Sequence, residues 1–312
     1  TLPDNLTAGT HTYLLICTSD GYSKSAEITV TVTPVSLAGA EVTVQSPTYN
    51  GKLQEPKVTV KLGDKTLSRD NDYTMEVTDQ INAGSYQLTI KGGGNYTGTK
   101  TVEWKILPKT IENPTIDVST ITYNGQAQTP SVTVKDGATI IPDTQYTVSY
   151  QNNTNAGTAT VTVVSTSNSN YKFGPTKQAF TITKADAPTV TPGKLTVVNN
   201  HEGTYTYDLK QLLPTAPKGT YGNINWKGGY QHSFTSQFSY VKNYTIDDDG
   251  ILTITSHNND LTTTGKVGTI TITVITDNYE NISLPIEVFA ENKTLPELDG
   301  SVSLSKTAIT FG

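Results

Sequence analysis

One phrase recurs four times along this chain: a glycine followed by Thr or Ser, an alternating strand, a turn, a tyrosine and a second strand. The copies start at Gly9, Gly84, Gly157 and Gly268, and their tyrosines are Tyr22, Tyr96, Tyr171 and Tyr279. A repeat of this length marks a structural unit, and it excludes reading the 312 residues as one large domain. It predicts a string of small β-units and names no ligand.

The fullest internal alignment covers two units. Tyr49-Asn50-Gly51 returns as Tyr123-Asn124-Gly125, Gln54 and Pro56 return as Gln128 and Pro130, and Val58–Lys61 returns as Val132–Lys135. Further on, Tyr73-Thr74 matches Tyr146-Thr147, Asn82-Ala83-Gly84 matches Asn155-Ala156-Gly157, and Asn95-Tyr96 matches Asn170-Tyr171. Within them apolar residues alternate: Tyr73, Met75, Val77; Tyr86, Leu88, Ile90; Val102, Trp104, Ile106; then Tyr146, Val148, Tyr150 and Ala159, Val161, Val163. Period-two alternation turns one set inward and leaves the other facing water. Short strands punctuated by Gly, Asn, Asp and Pro predict a sandwich or barrel. Both Asn-Gly pairs predict tight turns with positive φ, and Gly92-Gly93-Gly94 predicts a hairpin turn.

The hydrophobic fraction of 34% suits several thin sandwiches better than one deep core. The net charge of −6, with acids and bases interspersed, argues against nucleic acid, which needs a basic patch. No run of 18 apolar residues is present, so membrane insertion by this segment is not expected. Cys17 is the only cysteine, so no intrachain disulfide can form; it reads as a small buried hydrophobe, with a reactive thiol as the alternative.

Residues 1–33 carry only the closing phrase and read as the last part of a truncated unit. Residues 34–108 and 109–184 are the two aligned repeats. Residues 185–292 form a longer, divergent unit that ends in the same phrase, with Ile270, Ile272, Val274 and Leu284, Ile286, Val288 as its alternating sets. Residues 293–312 read as a linker and the start of another unit, with strands at Val302-Leu304 and Ala308–Phe311. The natural protein is therefore expected to continue in both directions, and Thr1 reads as an arbitrary boundary. Pro34, Pro108 and Lys184–Pro188 mark short, stiff joints. Leu209, Leu212 and Leu213 give the only helical hint, about two turns before Pro214.

The Tyr123–Pro130 segment, Tyr146–Tyr150, Asn155–Ala159, Asn170-Tyr171 and Phe180-Thr181-Ile182 resemble the bacterial immunoglobulin-like, MBG-like tandem repeats of large Gram-positive cell-surface proteins. The first repeat keeps most of these residues, with Ser85 for Thr and Trp104 for Phe180. The opening Leu2-Pro3 and Leu6–Tyr13 look like the end of a related unit, whereas in 185–292 only the closing phrase matches. The resemblance implies an all-β chain of tandem immunoglobulin-like β-sandwich modules, and the short, stiff joints predict that they form an elongated array. It also implies an extracellular position at the cell wall or cell surface, and no catalytic residues. It implies no binding site.

Site chemistry is sparse. The histidines His11, His201, His232 and His257 have no metal-ligand spacing, and no nucleophile elbow or phosphate loop is present. No cofactor is expected. Asp247, Asp248 and Asp249 form the densest acid run and are weak Ca²⁺ candidates, with a solvated Asp-Gly hairpin turn as the simpler reading. Residues 221–240 concentrate Trp226, Tyr230, His232, Phe234, Phe238 and Tyr240. Trp226, Tyr230 and His232 are the ligand-binding candidates, for stacking on sugar faces, and the alternative is that Trp226 and Phe234 fill the core. The recurring tyrosines are expected to bury their rings and bond their hydroxyls to backbone, in the manner of a tyrosine corner. An internal isopeptide bond between Lys194 and Asn281 is a further candidate. The six Asn-x-Ser/Thr sequons, at Asn5, Asn95, Asn152, Asn243, Asn281 and Asn292, are what a Thr-rich chain produces by chance.

These features predict a non-catalytic stalk of a bacterial cell-surface protein, secreted and involved in adhesion, that spaces or presents a distal adhesive or enzymatic domain. Its partners would be neighbouring modules of the same protein. One alternative is an adhesin-type module centred on 185–292, binding a host or dietary glycan or a host surface protein. Another is an accessory region of a secreted carbohydrate-active enzyme.

Overall fold

The computed structural model describes residues 5–235, 240–257 and 262–292. The expected strands at 302–311, the 293–312 linker, Leu2-Pro3 and Phe238 lie outside the described residues. Among the described residues the regular elements are strands and three single 3-10 turns, so the chain is all-β. It carries tandem two-layer sandwiches of immunoglobulin-like build. Two compact units are distinguishable: 1–118 with 131–149 and 161–178, and 119–130 with 150–160 and 179–312.

In the first unit, Gly9–Ser19 pairs antiparallel with Tyr22–Val32, in register from Gly9↔Val32 to Ser19↔Tyr22. The two-residue turn Asp20-Gly21 has φ of 46° and 78°, the conformation that matches strand twist in a tight hairpin. Among the described residues no second sheet covers this ribbon, and Leu14, Leu15, Ile16 and Ile28 are exposed. Cys17 is exposed for the same reason, which corrects the expectation that it is buried.

The first repeat is a sandwich. One sheet joins Glu41–Gln45, Lys57–Leu62 and Lys65–Thr66; the other joins Thr99–Ile106, Gly84–Gly92 and Tyr73–Glu76. Their inner faces share a core of Val60, Leu67, Tyr73, Leu88, Ile90, Trp104 and Ile106, closed by Leu37 and Tyr96. The alternating residues named from sequence are those turned inward, and Met75, Val77, Tyr86 and Val102 line the margin. The three glycines at 92–94 end the Gly84–Gly92 strand. A Cβ on Gly92 would stand 2.7 Å from the Thr97 amide, so the chain can cross itself only with glycine there. From the second repeat this unit holds the sheet Thr115–Val118, Val132–Asp136, Thr139–Ile141.

The second unit contains the closing region. A four-stranded sheet runs Gly193–Val198, Ile282–Glu291, Gly265–Thr276, Ile224–Phe234, and a three-stranded sheet runs Thr204–Asp208, Ile251–Ser256, Val241–Ile246. Ile270, Ile272, Val274, Leu284, Ile286 and Val288 are fully buried, as their alternation predicted. The helical hint at Leu209 is a single 3-10 turn, Leu209–Gln211, capped by Asp208. Three leucines over five residues, stopped by Pro214, cannot propagate a helix. The parallel ladder sets Lys194 level with Glu287, six residues beyond Asn281. At roughly 3.3 Å per residue that is about 20 Å, so no isopeptide bond links them. Instead the Lys194 ammonium lies 4.5 Å from the Phe289 ring centroid.

Candidate functional site

The residues singled out for ligand contact are not gathered in one place. Trp226 is 5% exposed, and a Cβ on Gly250 would lie 2.7 Å from its indole, so the ring packs flat on the 247–250 turn. It fills the core, the alternative weighed for it above. Tyr230 and His232 do lie together in a shallow groove, with Gln231, Lys242, Asn243 and Tyr244. The Tyr230 and Tyr244 rings stack at 3.6 Å and 7°, and each covers one face of the other. Burial pushes the Tyr230 hydroxyl pKa up to about 12, with Tyr244 adding to the shift. His232 is exposed and sits 5.6 Å from Tyr230.

The acid run forms a turn in which each carboxylate has its own task. Asp247 Oδ1 accepts from the Ile251 amide, Asp248 pairs with Lys227 at 2.5 Å, and Asp249 lies 3.8 Å from Lys210. Lys227 holds the Asp248 carboxyl below its usual pKa. Among the described residues no cluster of three metal-ligating side chains occurs.

The recurring phrase itself builds a polar geometry that repeats along the chain, and it does so between consecutive repeats. At the first junction, Tyr49 N donates to Leu107 O at 2.8 Å and Leu107 N donates to Pro47 O at 2.8 Å. Two residues on, Lys109 N donates to Asn170 O and Ile111 N to Lys172 O, both at 2.9 Å. Only Pro108 separates a residue held by the preceding repeat from one held by the following repeat. The Asn170 side chain then reaches back: its Oδ1 accepts from Ala83 N at 2.7 Å and its Nδ2 donates to Asn82 Oδ1 at 3.0 Å. Tyr171 meets Tyr49 edge-on, with centroids 5.4 Å apart at 76°.

The second junction repeats this set. Tyr123 N donates to Thr183 O at 2.8 Å, and Ala185 N donates to Asn278 O at 2.9 Å, leaving only Lys184 between. Asn278 Oδ1 accepts from Ala156 N at 2.9 Å and its Nδ2 donates to Asn155 Oδ1 at 3.3 Å. Tyr279 meets Tyr123 edge-on at 5.8 Å and 73°. A third copy joins the opening hairpin to the first repeat. There Asn95 Oδ1 accepts from Ala8 N at 2.7 Å, and Val35 N donates to Asn95 O at 2.9 Å.

This geometry corrects two expectations. In Asn50-Gly51 and Asn124-Gly125 only the glycines take positive φ, 75° and 82°. Each asparagine instead accepts, through Oδ1, the amide two residues on, from Lys52 and Gln126. The tyrosines are not uniform corners. Tyr279 is 1% exposed and bonds backbone, donating to Lys218 O and accepting from Lys218 N. Tyr96 accepts from Lys65 Nζ at 2.7 Å, Tyr171 packs on Tyr49, and Tyr22 is 84% exposed on the uncovered ribbon. Sequence reading assigned these asparagines and tyrosines to turns and cores. The signal it missed was that the alanine before a phrase-opening glycine (Ala8, Ala83, Ala156) is matched, one copy further on, by an Asn-Tyr pair (Asn95-Tyr96, Asn170-Tyr171, Asn278-Tyr279).

No protein-family model matches the chain, and no curated protein matches it. Solved structures similar to it include Sidekick-1 immunoglobulin domains 1–4, at 12% identity and a TM-score of 0.28, over 90% of this chain and 82% of that one. The ICAM-5 D1–D4 ectodomain fragment gives 9% and 0.34, over 81% and 77%. Three N-terminal domains of the bacteriophage RB49 outer capsid protein Hoc give 15% and 0.28, over 82% and 100%. At these scores the likenesses carry no argument about activity or partners.

Proposed function

We propose that this chain is a non-catalytic spacer within an extracellular bacterial cell-surface protein, dividing into modules at residues 34, 109, 185 and 293, and that it presents a distal adhesive or enzymatic domain. One observation carries the reading: the sequence repeat encodes junctions as well as sandwiches. A linker of one residue, pinned by backbone bonds on both sides, leaves no swivel, and bending it requires breaking ladder hydrogen bonds at about 1 kcal/mol each. Units that contact only their neighbours in this way suit transmission of position and force along a chain. Small-angle scattering of the full chain tests the proposal. A compact body of this length has a radius of gyration of about 20 Å. A spacer gives a clearly larger value, and a value near 20 Å rejects it.

A second reading is favoured by the groove at Tyr230, His232, Lys242 and Asn243, where rings and amides lie side by side. It would serve a glycan or a protein of a host surface. Alanine at His232, which is exposed, should abolish binding on a glycan array without moving the melting point; an array that shows no binding to the unsubstituted chain removes this reading.

A further inference from the structure

We infer that the two halves of the repeated phrase are a docking code between modules. One pole of a module, formed by x-Ala-Gly and, in the two repeats, by Tyr-Asn-Gly beside it, receives the Asn-Tyr corner of the module that follows. The inference rests on the spacer reading and deepens it by naming the partner chemistry. Three observations carry it. The acceptor Asn95, Asn170 or Asn278 takes the amide of Ala8, Ala83 or Ala156, at 2.7, 2.7 and 2.9 Å, so the bond is the same at every junction. The amides are those of the residue just before the phrase-opening Gly9, Gly84 and Gly157, where the strand has not yet begun. Without the neighbour's asparagine each amide would look to water. Finally, the edge-on tyrosine pairs put Tyr49 and Tyr123, at the Tyr-Asn-Gly loops, under Tyr171 and Tyr279.

The loops are built to hold that pose. Gln54 Nε2 and Gln128 Nε2 donate to Thr48 O and Thr122 O, both at 3.1 Å, tying each loop to the residue before its tyrosine. An asparagine is the right reader because one side chain can both accept from the alanine amide and, as Asn170 and Asn278 do, donate to the asparagine that precedes it. The code also has a direction. The closing region docks through Asn278-Tyr279, but ahead of its own Gly268 it carries Lys266-Val267, with Val267 fully buried. It therefore displays the reading corner without the receiving one.

Amide hydrogen exchange on the full chain tests this. Ala8, Ala83 and Ala156 should exchange at least about tenfold more slowly than exposed turn amides. Asn170→Ala should release Ala83 by a similar factor and leave Ala156 unchanged. Asn170→Asp, which keeps the acceptor, should leave Ala83 protected at neutral pH. Asn278→Ala should release Ala156 alone. If Asn278→Ala fails to fold, the Asn170 pair decides. Exchange of Ala83 at the rate of turn amides in the unsubstituted chain, or equal loss in Asn170→Asp and Asn170→Ala, overturns the code. A compact scattering profile with protected alanine amides would reject the spacer and leave the docking code standing.

Discussion

The junction at Leu107–Lys109 and the junction at Thr183–Ala185 share one set of contacts, yet among the described residues only the second is roofed. There the loop from Pro214 to Gly222 of the closing region folds over the tyrosine pair. Tyr123 Oη accepts from Thr220 N at 2.9 Å and donates to Thr220 O at 3.1 Å. Tyr221 lies 5.0 Å from Tyr279 and bonds Pro214 O. The Asn278 side chain gains a third partner, its Nδ2 also donating to Thr220 O at 3.0 Å. The reading asparagine is fully buried here, whereas Asn170 is half-buried and Asn95 is exposed. One recognition chemistry thus operates at three depths. A hydrogen bond shielded from water is harder to exchange for water and costs more to leave unmade. The lesson is that burial, added by a single loop, sets junction strength while the code stays constant.

The comparison breaks most sharply at the tyrosines. Tyr279→Ala should destabilise the chain by about 3–5 kcal/mol, because a fully buried ring and two backbone bonds are lost together. Tyr171→Ala at the unroofed junction should cost roughly half that, read from denaturant melts of both variants.

The roof itself comes next. A Cβ on Gly219, at φ of +53°, would stand 2.3 Å from Tyr123 Oη, and one on Gly125 would stand 2.5 Å from Gly219 N. Gly219→Ala should therefore cost about 1–3 kcal/mol. It should lower the second junction toward the first, seen as faster exchange at Ala156 with no change at Ala83.

Alkaline pH probes both junctions at once. Burial raises the hydroxyl pKa of Tyr171 and of Tyr221 above 10.0, with Tyr49 adding to the first and Tyr279 to the second. The unfolded chain then ionises before the folded one. Stability that is intact below pH 10 is lost as the pH rises through the folded-state values. Thermal melts from about pH 9 to 12 should show this decline, and Tyr221→Phe should lessen it.

The smallest effect is expected for Tyr171→Phe. Its hydroxyl meets a neighbouring tyrosine at a half-exposed site, not backbone in a core, so about 0.5 kcal/mol is expected from the same melts.

Much of the fold was legible because alternation is a local signal. Leu88, Ile90, Trp104 and Ile270 had to face inward wherever their strands paired. Exposure at Leu14 and Cys17 was not legible: the same alternation appears in the ribbon, but whether a second sheet covers it is a tertiary fact. The ligand candidates divide the same way. An aromatic cluster at 226–240 is visible in one dimension, but the approach of Gly250 that buries Trp226, and the stacking of Tyr244 on Tyr230, join residues far apart in sequence.

Strand alternation, turn positions and the repeat of Asn-Ala-Gly with Asn-Tyr are properties of neighbouring residues, and the amino-acid sequence determined them without help. The partner of each phrase is a different matter. Asn170 finds Ala83 and Asn278 finds Ala156 across separations of 87 and 122 residues. Only packing brings such groups together, because a backbone amide is chemically the same everywhere and becomes a recognition point solely through what the fold places beside it.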